Sequence, residues 1–270
     1  MAGVVCHTGA SITALLRSFF VTERAAAREG FLQRRRPAAT LLAVGALLVA
    51  VVVSRHPLAV LALATVPLAL AVASAVSLRR LLTRSLPPAV AAALVVSPQA
   101  VLAPGPTLVD IGPLSVTGEG LAYVLTFALR IWTGVALLAV VVLTTPFADV
   151  VAALRRLRVP AVVVWMLTIT YRYLFLLLSE LHALLRARES RTVGDGSLRD
   201  AWRDAGRLSG TFIVRAIERG EAVHRGMVAR GGGRAPDPYA RPGRPTLADV
   251  GFVATGVAVA VGAGVIRWFL

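Results

Sequence analysis

Lysine is absent from this chain of 270 residues, and cysteine occurs once, at Cys6. A single cysteine excludes an internal disulfide and any cysteine cage for a metal. Charged residues are scarce, at 16%, against 57% hydrophobic residues and a mean hydropathy of +0.74. A soluble domain of this length carries far more charge. There is no Gly-x-x-x-x-Gly-Lys phosphate loop, so ATP hydrolysis is not expected of this chain. The four histidines, at 7, 56, 182 and 224, are scattered, and the apolar runs hold no cluster of acids. A membrane-embedded enzyme needs ionisable groups gathered at one depth, so that class is set aside. A stand-alone channel or secondary transporter would show inverted repeats or polar-lined spans, and neither is found.

What the chain does have is arginine and long apolar runs. All 29 basic residues are arginine, and the net charge is +15. A balance of that sign could serve nucleic acid or anionic lipid. In so apolar a chain it reads as the cytoplasmic excess of positive charge in a membrane protein, with the lipid bilayer as partner and no nucleic acid. "GVVC" at 3–6 has no charged and apolar segments before it, so no lipoprotein cleavage site is expected.

Apolar blocks at 38–53, 58–77, 86–103 and 121–144 lie near the ~20 residues that cross a bilayer. Arg34, Arg35 and Arg36 precede the first block, and Arg79, Arg80 and Arg84 follow the second. Both clusters belong in the cytoplasm, which requires two crossings between them. The Pro- and Gly-rich stretch 97–120 then reads as an outward loop, and the fourth block returns the chain near Arg155, Arg156 and Arg158. Arg130 lies within that fourth block and has no partner identifiable in the sequence.

The block 159–178 could also cross, but residues 181–245 would then lie outside with 13 arginines against 7 acids. It is read instead as part of one long helix, 160–190, begun by Pro160, its first half buried in the membrane protein and its second half in the cytoplasm. Arg172, between Tyr171 and Tyr173, fits either a shallow, tilted placement or snorkelling to the headgroups. A second long helix spans 197–230, with Ser197 and Asp200 at its start. Its packing stripe is Leu198, Trp202, Ala205, Ser209, Phe212, Ala216, Gly220, Val223 and Met227. Arg199, Arg203 and Arg207 form a solvated row, and Glu221 can pair with Arg225.

The fold class is therefore an all-α integral membrane protein of about five transmembrane helices with long cytoplasmic helices. Its parts are a cytoplasmic extension (1–37), a four-span region (38–144), a cytoplasmic and interfacial helical region (145–245) and a C-terminal transmembrane helix (246–270).

Each long helix ends on an arginine. The second closes on Ala229-Arg230-Gly231, and the first on Ser190-Arg191-Thr192, which keeps only the arginine of that pattern. With "LTTPFADVVAALRRLRVP", "YRYLFLLLSELHALLRARESRT" and "RAIERGEAVHRGMVARG", these tips resemble the T component of energy-coupling factor (ECF) transporters, in its cobalt-type CbiQ form. The resemblance covers most of the chain from about residue 34. It implies a multi-pass protein of the bacterial cell membrane whose long helices couple two ATP-binding-cassette subunits to a substrate-binding S component, CbiM-like if the cargo is cobalt. Ala229, Arg230, Gly231, Ser190, Arg191 and Thr192 would dock on those ATPases. The chain would carry no cofactor, ATP and Mg being bound by its partners. A vitamin system shares the outline, because the S component recognises the substrate. Gly232 and Gly233 depart from the family pattern, which commonly has an aromatic residue after the signature.

The orientation is testable by cysteine accessibility in a Cys6→Ser background. A cysteine at position 235 should resist an impermeant reagent applied from outside, while one in 97–120 should react. Strong outside labelling at 235 would overturn the arrangement.

Overall fold

The computed structural model describes residues 30–54, 56–103, 106–111, 114–190, 198–231 and 246–269. Among them, 30–153 with 246–269 form one unit and 154–231 another. The helices are α1 (Pro37–Val53), α2 (Pro57–Ala73), α3 (Leu78–Val96), the single turn α4 (Gln99–Leu102), α5 (Gly118–Thr144), α6 (Phe147–Arg156), α7 (Ala161–Glu189), α8 (Leu198–Ala229) and α9 (Leu247–Phe269). The protein is thus of the all-α membrane class. α5 and Ala161–Arg188 of α7 are long and apolar enough to cross a membrane, while α1, α2 and Leu247–Gly262 are shorter apolar helices.

In the first unit α1 and α2 each start with proline at the first helical position, where a missing N–H costs nothing. α5 is the central element. Its Leu137 and Val141 pack with Val44, Leu47, Ala50 and Val51 of α1 and Leu63 of α2. Its Ala136, Ala139 and Val140 pack with Ala71 of α2, Leu81 of α3 and Leu32.

α9 runs parallel to α1. Asp249, in its first turn, accepts a hydrogen bond from the Arg36 backbone N–H (3.3 Å) and lies 3.4 Å from Arg36 Nε. Seven residues further along both helices, a Cβ on Gly256 would sit 3.2 Å from Ala43 Cα. Equal steps in the same direction define a parallel pair, and glycine is what lets the two backbones approach. Asp249 also accepts from the Thr246 N–H (3.2 Å), satisfying an orphan donor at the start of its own helix.

The segment before α1 folds back onto the end of α2. The Phe31 N–H donates to Ala73 O (3.2 Å) and Gln33 Nε2 to Ser74 O (3.3 Å), while Phe31 meets Phe252 of α9 edge-on. The arginines at 34–36 and the start of α3, with Arg79, Arg80 and Arg84, therefore lie at one end of this unit.

At the other end the structure departs from the expected loop. Residues 97–120 contain α4 and an antiparallel hairpin, β1 (Thr107–Ile111) with β2 (Leu114–Thr117), registered Asp110 to Ser115. Thr117 then caps α5 by accepting from the Gly120 N–H. Gly120 must be glycine, since a Cβ there would lie 2.6 Å from Gln99 O. After the far end of α5, α6 is a separate amphipathic helix of ten residues, which the sequence reading does not set apart.

In the second unit α7 is one continuous helix, as expected, with Val164 buried. Val162, Val163, Met166, Leu174 and Leu176 are all exposed. α8 packs antiparallel on the second half of α7 through ion pairs. Arg188 meets Asp204 (3.5 Å), and Glu180 meets Arg215 (3.5 Å) and Arg219 (3.8 Å).

Removing one member of the Arg36–Asp249 pair leaves donors and a cation without their acceptor. Asp249→Ala should destabilise the protein by roughly 2 kcal/mol, discounted because Arg36 remains partly in water. A lowered thermal midpoint of the purified protein in detergent checks this, and an unchanged midpoint would refute the clasp.

Candidate functional site

The candidate site is the end of α8, built by helix termination. Arg230 donates its backbone N–H to Met227 O (3.1 Å) and Gly231 to Val228 O (3.0 Å), a tightened last turn. Gly231 has φ +81°, the left-handed conformation in which a Cβ would be strained. Two other helices end with related geometry but without glycine. After α2, Ala75 (φ 53°) donates to Val72 O and Val76 to Ala71 O; after α6, Arg158 (φ 64°) donates to Arg155 O and Val159 to Leu154 O. Those ends keep side chains at the left-handed position. At the tip of α8, no atom of the described residues beyond the glycine and its chain neighbours lies within 4 Å of where a Cβ on Gly231 would be.

Ala229, Arg230 and Gly231 are all exposed, and Arg230 has no ion-pair partner among the described residues. Several other charges of α8 are paired. Arg225 pairs with Glu221 (3.4 Å), as the four-residue spacing predicted, and Asp204 lies 3.9 Å from Arg207 besides meeting Arg188. Arg199 and Arg203 are exposed, in keeping with a solvated row.

The predicted stripe on α8 is met in part. Ala205, Phe212, Ala216, Val223 and Met227 are half-buried, whereas Trp202 (78% exposed), Ser209 and Gly220 face outward. The stripe has rotated because the pairs through Asp204, Arg215 and Arg219 set which side of α8 meets α7, and those three residues flank the Phe212 side.

At the other tip, Ser190 closes α7, donating its N–H to Arg186 O and its hydroxyl to Ala187 O (both 3.0 Å). Ser190 is exposed; Arg191 and Thr192 lie outside the described residues, as does Ser197. No group of three His, Cys, Asp or Glu side chains placed to hold a metal occurs among the described residues.

Comparison with known proteins decides the family. The model of the CbiQ cobalt transport protein family matches residues 29–239. This chain belongs to that family. A cobalt transport protein CbiQ of Rhodobacter capsulatus is 30% identical over 203 residues, 73% of this chain and 79% of that protein. Two uncharacterized proteins of Methanocaldococcus jannaschii are 35% and 33% identical over 118 and 101 residues, and the chain spans 40% and 37% of their lengths. A CbiQ-family chain is a membrane component of a transport system, a transporter subunit rather than an enzyme. The match reaches across both long helices and the Arg230 tip.

Sequence reasoning missed what surrounds Arg130 in this CbiQ-family chain. Its guanidinium donates to the carbonyl of Ser54, the C-cap of α1. That carbonyl is an orphan of helix termination, and an acceptor of this kind carries no sequence signal.

Helix ends closed by a left-handed residue make two substitutions opposite in effect. Gly231→Ala should cost about 1 kcal/mol locally, and Ala75→Gly should gain up to about 1 kcal/mol. Faster amide exchange over residues 225–230 in the first, and a raised thermal midpoint in the second, check the pair.

Proposed function

We propose that this chain is the transmembrane T component of an ECF-type importer for cobalt, coupling ATP hydrolysis by two ATP-binding-cassette subunits to movement of a CbiM-like S component. The observation that carries the reading is Arg230: an exposed cation with no ion-pair partner among the described residues, at the end of a 32-residue helix, in a CbiQ-family chain. A mere C-terminal cap would need only a positive charge near the last carbonyls. A guanidinium held beyond its helix, with glycine beside it, suits insertion among the carboxylates and carbonyls of a partner, to which it offers a planar fork of donors.

In this reading the apolar helices cross the cell membrane several times, and the second half of α7 and α8 lie on the cytoplasmic side. The two tips, at Ser190–Thr192 and Ala229–Gly231, each engage one ATPase. ATP and Mg remain with those subunits, and cobalt, the cargo, with the S component. The α7–α8 ion pairs link the two helices that carry the tips, a path by which displacement of one ATPase reaches the other. A preparation free of ATP-binding subunits should accordingly be inert towards ATP.

Truncating or reversing one member of a desolvated charge pair typically costs about 2–5 kcal/mol. Arg230→Glu should therefore release one ATPase contact, Arg191→Glu should act similarly but more mildly, and the double variant should lose uptake. Arg203→Ala, on the solvated row, should stay near wild type. Co-purification with the ATP-binding subunits and cobalt uptake in cells are the readouts. Full assembly and uptake with Arg230→Glu would reduce the tip to a helix cap.

A further inference from the structure

α3 turns one side to the protein. Leu81, Ser85 and Ala89 are buried, Leu81 among Ala136, Ala139 and Val140 of α5. The other side is open along the whole helix. It begins with the exposed Arg79, Arg80 and Arg84 and continues through Leu86, Val90 and Leu94, which are 47%, 56% and 69% exposed. Arg79, Leu86, Val90 and Leu94 follow steps of seven, four and four, which keeps them on one strip.

The sequence around Arg79 and Arg80 is free of acids. No acid occurs between Glu29 and Asp110, so α1, α2 and α3 contain none, and Asp249 at the same end is engaged by Arg36. Neither Arg79 nor Arg80 has a carboxylate partner among the described residues. Cations in the first turn of a helix also oppose its dipole, and that turn carries no acid. From Arg84 to Leu94 the helix rises about 15 Å, which is the depth of one bilayer leaflet.

We propose that this strip of α3 binds an anionic phospholipid, its phosphate on Arg79 and Arg80 with Arg84 alongside, and an acyl chain along Leu86, Val90 and Leu94. Charge complementarity selects an anionic headgroup over a zwitterionic one, and the apolar continuation selects a lipid over a free phosphate. The inference needs the chain to be a membrane protein but does not depend on the transport partners.

Native mass spectrometry of the full chain purified in detergent tests it, by titration with phosphatidylglycerol and with phosphatidylcholine of the same acyl chains. Phosphatidylglycerol should bind at about tenfold lower concentration, and Arg79→Gln/Arg80→Gln should abolish that preference. The charge-matched control Arg199→Gln/Arg203→Gln on α8 should keep it, as should Arg79→Lys/Arg80→Lys, which preserves the charge. The proposal fails if the α3 glutamine pair binds like wild type or if the α8 control loses as much. It fails equally if the lysine pair loses the preference, or if inorganic phosphate alone displaces the lipid.

Discussion

Asp249 places a carboxylate at the mouth of an otherwise apolar helix pair, and the arrangement of the first unit depends on how that charge is held. A buried acid is tolerated only where its oxygens are engaged. Here one oxygen takes the Arg36 backbone N–H while the other lies against the Arg36 guanidinium and the Thr246 N–H. The pair sets the register of α9 on α1, so that Gly256 arrives opposite Ala43 seven residues later. It also holds the start of α1 where the turn at 30–36 can close over the end of α2 and bring Phe31 against Phe252.

Termination of helices is the second recurring constraint. In an apolar setting each carbonyl left over at a helix end needs a donor. The fold supplies these in several ways: the Arg130 guanidinium at the end of α1, Gln33 at the end of α2, and tightened turns after α2, α6 and α8. Where the turn serves packing alone, as at Ala75, a left-handed residue with a side chain is tolerated. At Gly231 the same conformation coincides with an exposed arginine. The glycine at the left-handed position and the exposed arginine before it together support the proposal that this end meets a partner.

The two units divide their chemistry. The first is held by interdigitated small and branched apolar side chains, with the Arg36–Asp249 contact at its end. The second joins a helix of apolar, exposed surface to an amphipathic one through Glu180, Arg188, Asp204, Arg215 and Arg219. Such pairs on a partly wet face contribute modestly each, so their main effect is to choose which sides of α7 and α8 meet. That choice turned Trp202 outward.

Much of this was legible in the residue order. Composition and run length determine the membrane class and most helices, because a bilayer demands apolar stretches of fixed length. Spacing along one helix likewise predicted the Glu221–Arg225 pair, a contact between neighbours on the same turn-and-a-bit of chain. The Arg230 tip was readable too, since an Ala-Arg-Gly ending is local. What only the tertiary structure decided are contacts between distant segments. Arg36 finds Asp249 across more than two hundred residues, and Arg130 finds a backbone carbonyl that any residue could have offered. The hairpin at 107–117 and the rotation of α8 are of the same kind. Periodicity specifies that a face exists, but which neighbour covers it is settled by packing and charge pairing between elements that the sequence keeps far apart.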